Sequence, residues 1–150
     1  MKFSTRTLYG LKAILVLAGR YGEGLVSVSA IAKKESLSVH YLEQILNALK
    51  KKGLVKSVRG PQGGYSLAHK PSEISLEKLF YALEPKRAPE KDTKPPADGD
   101  ETALAGALFW QKFFSSIEKG LSQVTLKELL DDVRRQQKGK QRSPAQNFHI

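Results

Sequence analysis

His40, Tyr41, Glu43, Gln44, Asn47 and Lys51 lie at helical spacing off an apolar stripe, and they combine hydrogen-bonding side chains with a cation. That mixture suits the edges of base pairs. A glutamine carboxamide can pair with adenine at two points, a glutamate can accept from cytosine, and tyrosine or histidine can reach phosphate or a thymine methyl. The same pattern also fits an ordinary solvated helix surface. Further on, Arg59-Gly60-Pro61-Gln62-Gly63-Gly64 is a turn dense in glycine and proline. Its glycines permit positive φ and bring backbone amides close to a phosphate, while Arg59 at its base can enter a minor groove or clamp the backbone. The loop lacks the G-x-x-x-x-G-K-S/T order of a nucleotide-binding loop, and on its own it is equally a tight hairpin.

Other chemistry finds little support. The chain has no cysteine, which removes disulfides, thiolate nucleophiles, cysteine-rich zinc sites and thiolate-held iron-sulfur clusters from the sequence as written. His40, His69 and His149 are scattered, and no pair has the spacing of a helix-borne metal site. Asp98, Asp100 and Glu101 lack the ligand order and glycine of a calcium loop and read as a solvated cluster. No carboxylate pair or Ser/His/Asp set stands in a catalytic context, so neither enzyme activity nor a bound metal is expected.

The elements that must position the polar face follow from patterning. With 150 residues at 40% hydrophobic, the chain can bury one core, and its 25 Lys+Arg against 15 Asp+Glu leave a net charge of +10. The charge is concentrated early, 13 Lys+Arg against 6 Asp+Glu in residues 1–84, which points to a polyanionic partner at that end. The longest apolar run, near Ala13 to Ala18, falls far short of the roughly 20 residues of a membrane span. The start lacks an apolar leader, so a cytoplasmic protein with no membrane partner is expected.

Leu8, Leu11, Leu15 and Ala18 predict the buried stripe of a first helix ended by Gly22 and Gly24, with Gly10 marking a close helix crossing. Ser27 can cap a helix from Val28 to Glu35 that buries Ile31. After the turn Ser36-Leu37-Ser38, Ser38 can cap a second helix, from Val39 to about Lys52, that buries Leu42, Ile45, Leu46 and Leu49 and stops at Gly53. Strand-like runs, Leu54 to Val58 and Tyr65 to Leu67, flank the glycine-rich loop. A helix-turn-helix followed directly by a hairpin describes a winged helix, with Lys50, Lys51, Lys52 and Lys56 as a positive run beside it. The expected fold is mainly α with a small β-hairpin: a winged helix-turn-helix domain plus a long dimerisation helix.

Ser75 can cap a helix carrying Leu76, Leu79, Phe80 and Leu83, which closes the domain over residues 1–84. Residues 85–101, rich in Pro, Lys, Asp and Glu, read as a flexible loop. In residues 102–133 a long helix presents Leu104, Leu108, Phe113, Phe114, Ile117 and Leu121, with Phe109 and Trp110 widening the apolar surface beyond one stripe. A domain this small has little core to cover them, so a two-fold helix-helix interface is expected. Thr125-Leu126-Lys127-Glu128 has a capping-box pattern opening a short final helix with Leu129, Leu130 and Val133. Residues 134–150 read as a basic tail whose Phe148-His149-Ile150 end could dock.

Three segments together resemble the Rrf-two family of bacterial regulators: Lys2-Phe3-Ser4-Thr5 with Tyr9-Gly10-Leu11, Ser38-Val39-His40-Tyr41-Leu42-Glu43-Gln44-Ile45-Leu46, and Gly53 through Tyr65. The resemblance covers most of the chain. It implies a homodimeric winged helix-turn-helix transcription factor, usually a repressor, with its recognition helix in the major groove and its wing in the minor groove. Carried over by position, the contacts to double-stranded DNA are Ser38, His40, Tyr41, Glu43, Gln44, Arg59, Gly60, Pro61, Gln62, Gly63 and Gly64. A two-fold dimer sets its recognition helices one turn of B-DNA apart, roughly 34 Å, and so predicts an inverted-repeat operator.

The family's iron-sulfur members carry three cysteines before the long helix, and here the resemblance divides. One reading is the cluster-free, CymR-like branch, which implies control of cysteine or sulfur metabolism and a metabolic enzyme partner such as cysteine synthase, docked at the tail or the variable loop. By the other, Ala88, Ala97 and Ala103 stand where cluster cysteines were replaced. Under both, this chain binds no iron-sulfur cluster. The loop over 85–101 is the expected sensing region, by analogy with the family. An RNA-binding winged helix is a third reading, disfavoured because Tyr41 and Tyr65 are the only aromatics left for stacking on bases.

Overall fold

The computed structural model describes residues 3–85 and 99–142. In chain order it contains α1 (Thr5–Gly19), α2 (Val28–Glu35), α3 (Val39–Lys51), β1 (Val55–Val58), β2 (Gly64–Leu67), a 3-10 turn over Pro71–Glu73, α4 (Leu76–Leu83), α5 (Glu101–Ser122) and α6 (Leu126–Arg142). Serines open four of the helices by the same device. The hydroxyls of Ser4, Ser27, Ser38 and Ser75 accept from the amides of Thr7, Ala30, Tyr41 and Lys78 at 3.1–3.2 Å, each cap worth about 1 kcal/mol.

α3 closes as its sequence predicts. The Leu54 amide donates to the Leu49 carbonyl at 3.1 Å and the Gly53 amide to that of Lys50 at 2.9 Å, with Gly53 at φ +77°. This is a Schellman closure in which Leu49 and Leu54, both buried, pack across the helix end. One core gathers Ile14 and Leu17 of α1, Ile31 of α2, Leu42, Ile45, Leu46 and Leu49 of α3, Val55 and Leu67 of the hairpin, and Leu79 of α4.

α1 is rotated from the expected stripe. Thr7, Gly10, Ala13, Ile14, Leu17 and Ala18 form its buried face, while Leu8 is 48% exposed and Leu11 and Leu15 are half-buried. The helix is apolar around most of its circumference, so its leucines do not mark the core side; its small residues do, because they let neighbouring helices approach. A Cβ on Gly10 would stand 2.4 Å from Leu83 Cδ2 and 3.4 Å from Ile45 Cγ2, the close crossing expected there. The Thr7 hydroxyl donates to the Glu84 carboxylate at 2.5 Å and ties the end of α4 to α1.

The C-terminal part also departs from expectation. α5 opens at Glu101, where Asp100 accepts from the Thr102 amide at 3.0 Å. α6 continues to Arg142, so the expected tail at 134–150 is helical as far as the described residues run. Lys, Arg and Gln are good helix formers, and α6 is laced by the pairs Lys127–Asp131 at 2.7 Å, Arg134–Asp131 at 3.7 Å and Arg135–Asp132. Its first turn rejoins the winged domain. The Leu126 amide donates to the Ile74 carbonyl at 2.8 Å, the Leu76 amide donates to that of Val124 at 2.9 Å, and Leu126 is fully buried.

Gly53→Ala forces a side chain into the left-handed region and is expected to cost about 1 kcal/mol. It should read as a lower urea midpoint with an unchanged slope, and Gly53→Asn should recover part of the loss.

Candidate nucleic-acid interface

On α3, Leu42, Ile45, Leu46 and Leu49 face the core and leave His40, Glu43, Gln44, Asn47 and Lys51 exposed as one row. Within it, His40 Nε2 and Gln44 Nε2 lie 3.2 Å apart. The Ser38 hydroxyl, which accepts from the Tyr41 amide, retains its own proton to give to an acceptor. Tyr41 is placed differently from its neighbours. Its ring is half-buried and stands edge-on to Tyr9 at 6.0 Å, so it belongs to the α1–α3 packing rather than to the free row.

The wing is held against this helix from both ends. β1 pairs antiparallel with β2 in the register Val55↔Leu67 to Val58↔Gly64. On the other edge of β2, Tyr65 and Val26 exchange both backbone hydrogen bonds, at 2.8 and 2.9 Å. This third edge was missed from sequence, although Leu25-Val26 directly before the Ser27 cap are apolar residues with no helix to bury them. Lys50 Nζ donates to Ser57 Oγ at 2.7 Å and joins the end of α3 to β1. The Tyr65 phenol is pushed above its ordinary value by burial and then by the charge of Glu43, which links the wing electrostatically to the recognition row.

Arg59, Gly60, Pro61 and Gln62 are exposed at the tip, while Gly64 is buried. The glycines serve different ends. Gly60 alone in the loop takes positive φ, +119°. A Cβ on Gly63 would lie 2.2 Å from the Val58 carbonyl oxygen, and one on Gly64 would lie 2.5 Å from that of Val26. The Gly63 amide donates to the Gly60 carbonyl at 2.9 Å, which takes it out of the expected phosphate cradle. Close backbone approach, not left-handed geometry, is what demands glycine at the last two positions.

At the other end of the molecule α5 buries no residue. Leu104, Leu108, Phe113 and Phe114 are exposed, as are Phe109 at 60% and Trp110 at 56%. These rings pack on one another, Phe109 stacked with Phe113 at 6.3 Å and Trp110 edge-on to Phe113 at 5.8 Å. Ile117 and Leu121 are half-buried, on the stretch of α5 that lies by α4, where Tyr81 donates to Glu118 at 2.9 Å. Burial, that hydrogen bond and the charges of Glu118 and Glu77 push the Tyr81 phenol up to about 12.

Among the described residues no group of His, Cys, Asp and Glu could hold a metal ion, and no helix is long and apolar enough to cross a membrane. Ala103 is exposed in the first turn of α5, whereas Ala88, Ala97 and Phe148-His149-Ile150 lie outside the described residues.

A polar row on the second helix of a helix-turn-helix, capped by Ser38 and followed directly by a wing carrying Arg59, defines a winged-helix DNA-binding regulator. Residues 3–132 match the family described as Rrf2, iron-dependent transcriptional regulator, and the chain belongs to that family. It is 35% identical over 134 residues to the protein rrf2 of Nitratidesulfovibrio vulgaris, covering 89% of each chain. Among solved structures it is similar to CymR, the global cysteine regulator of B. subtilis, at a TM-score of 0.67 and 34% identity over 86% of this chain and 95% of the other. It is also similar to T. potens IscR, at a TM-score of 0.66 and 36% identity over 99% and 95% of the two chains. The family's description is iron-dependent, but a thiolate-held cluster does not fit a chain without cysteine.

Gly63→Ala cannot be accommodated without moving the Val58–Gly60 backbone, so it should displace the wing tip. Losing one wing contact corresponds to an affinity loss of about tenfold or more. The expected result is that loss in a duplex-binding titration with the helical circular dichroism unchanged.

Proposed function

We propose that this chain represses transcription by binding an inverted-repeat operator as a homodimer in the cytoplasm, without enzymatic activity and without a thiolate-held cluster. The observation that carries the reading is the exposed row His40, Glu43, Gln44 and Asn47 beside the Arg59 wing, with the surrounding residues tied up in caps, packing and backbone pairing. Lys51 on the same helix and Arg59 on the wing are exposed cations that can attract phosphate, and the row supplies donors and acceptors for base edges. Dimerisation is supported by α5, whose exposed phenylalanines and tryptophan adjoin one another in a contiguous apolar surface of the kind that marks an interaction site. Control of cysteine metabolism is supported by the likeness to CymR, the global cysteine regulator of B. subtilis. Docking of an enzyme such as cysteine synthase extends that reading; retention of cysteine synthase by the full chain and its loss on removing Phe148-His149-Ile150 would bear it out.

Selection from a random duplex library at about 150 mM salt, where weak surface attraction is screened, should enrich one inverted repeat. Its affinity should fall steeply with salt, and Arg59→Ala should weaken it by about tenfold or more. Phe113→Asp should yield a folded monomer by analytical ultracentrifugation that no longer prefers the repeat over a half-site. Absence of any enriched sequence with a folded wild-type dimer would overturn the reading.

A further inference from the structure

We propose that His40 is a positioning residue that presets Gln44 to read adenine, an inference that rests on the placing of α3 in the major groove proposed above. Ser38 caps α3, which puts His40 in the first turn and Gln44 one turn later on the same exposed row. Their Nε2 atoms are 3.2 Å apart. Two nitrogens share a hydrogen bond only when one of them lacks a proton, and a carboxamide nitrogen always carries two. The imidazole Nε2 is therefore the acceptor, and its proton sits on Nδ1.

This fixes what Gln44 offers to the groove. One of its two N–H bonds lies beside Oε1 and the other points away from it. Adenine presents an acceptor, N7, next to a donor, N6, so it pairs with Oε1 and the N–H beside that oxygen. The proposal is that His40 takes the outer N–H, which leaves this pair of groups free and oriented. The reversed carboxamide would place Oε1 on an imidazole N–H and turn both amide hydrogens outward, a pattern matched to the two acceptors of guanine. A single contact thus selects between bases that His40 itself need not touch. Among the described residues no other hydrogen bond or ion pair engages either side chain, so nothing competes for the carboxamide. Holding it in advance spares part of the entropy that a long flexible side chain loses on binding.

Duplex selection with wild type, His40→Ala, His40→Gln and Gln44→Ala tests this, read at the base position whose preference Gln44→Ala abolishes. Wild type should prefer adenine there. His40→Ala should lower that preference by about three- to tenfold, the worth of one hydrogen bond, while preferences at the other positions hold. His40→Gln, whose side-chain oxygen can accept the same N–H, should retain it. Guanine in wild type, an unchanged preference in His40→Ala, a uniform loss at all positions, or equal losses in His40→Ala and His40→Gln would each overturn the proposal. If wild type enriches no sequence at all, the DNA-reading assignment of α3 itself has failed and the proposal falls with it, an outcome distinct from the others.

Discussion

Two backbone hydrogen bonds between Val26 and Tyr65 fix the wing to the segment that leads into the helix-turn-helix. A two-stranded hairpin is marginal in water by itself, yet a wing is useful only if its tip keeps a fixed place relative to the recognition helix. The Val26 bridge gives β2 a partner on each edge and anchors the wing to the residue that precedes the Ser27 cap of α2. α3 follows α2 through a short turn, and Lys50–Ser57 closes the circuit from its other end. The cost is a backbone approach that leaves no room for a side chain at Gly64. The glycine is thus set by sheet geometry, through the Val26 carbonyl beside it.

The second half follows from a shortage of core. α5, at 22 residues, is about 33 Å long and reaches well past the domain that could cover it, so only Ala107, Ile117, Glu118 and Leu121 lose substantial exposure. α6 solves the same problem in the opposite way. It returns to the winged domain and places Leu126 in the shared core, pinned by backbone bonds to both sides of Ser75. The recognition domain is therefore braced by the chain segment that follows the long helix. α5 is joined to α4 by Tyr81–Glu118, and α6 packs on the 3-10 turn.

The legible parts of the sequence were those whose signal is local. Ser27, Ser38 and Ser75 as caps, Gly53 as a helix stop and the four-residue stripe of α3 each depend on neighbours within one turn, and the structure has them as read. Long-range choices were not visible. The stripe of α1 differs from the spacing of its leucines because the helix is apolar around most of its circumference, and which face is buried, Thr7, Gly10, Ala13, Ile14, Leu17 and Ala18, is decided by the elements packed on it; the close crossing at Gly10, in contrast, was legible. Tyr41 looked like part of the polar row because a tyrosine off the leucine stripe carries no mark of Tyr9 standing beside it. Ser38, His40, Glu43, Gln44 and the wing tip Arg59 to Gln62 are exposed, as their position off the apolar stripe and in a hairpin turn implies. The division of labour among Gly60, Gly63 and Gly64, in contrast, needs coordinates.

The two ends of the fold tolerate change differently, and for a physical reason. At the wing, function is written into backbone geometry, so a single added Cβ collides with a carbonyl oxygen and there is little freedom to drift. At the entry to α5, the described residues make no such demand. Asp100 caps the helix with its own carboxylate, and Ala103 faces solvent in its first turn. A family described by its iron dependence can therefore contain a chain without cysteine and keep the same architecture. The glycines of the wing, in contrast, are required by the backbone packed against them.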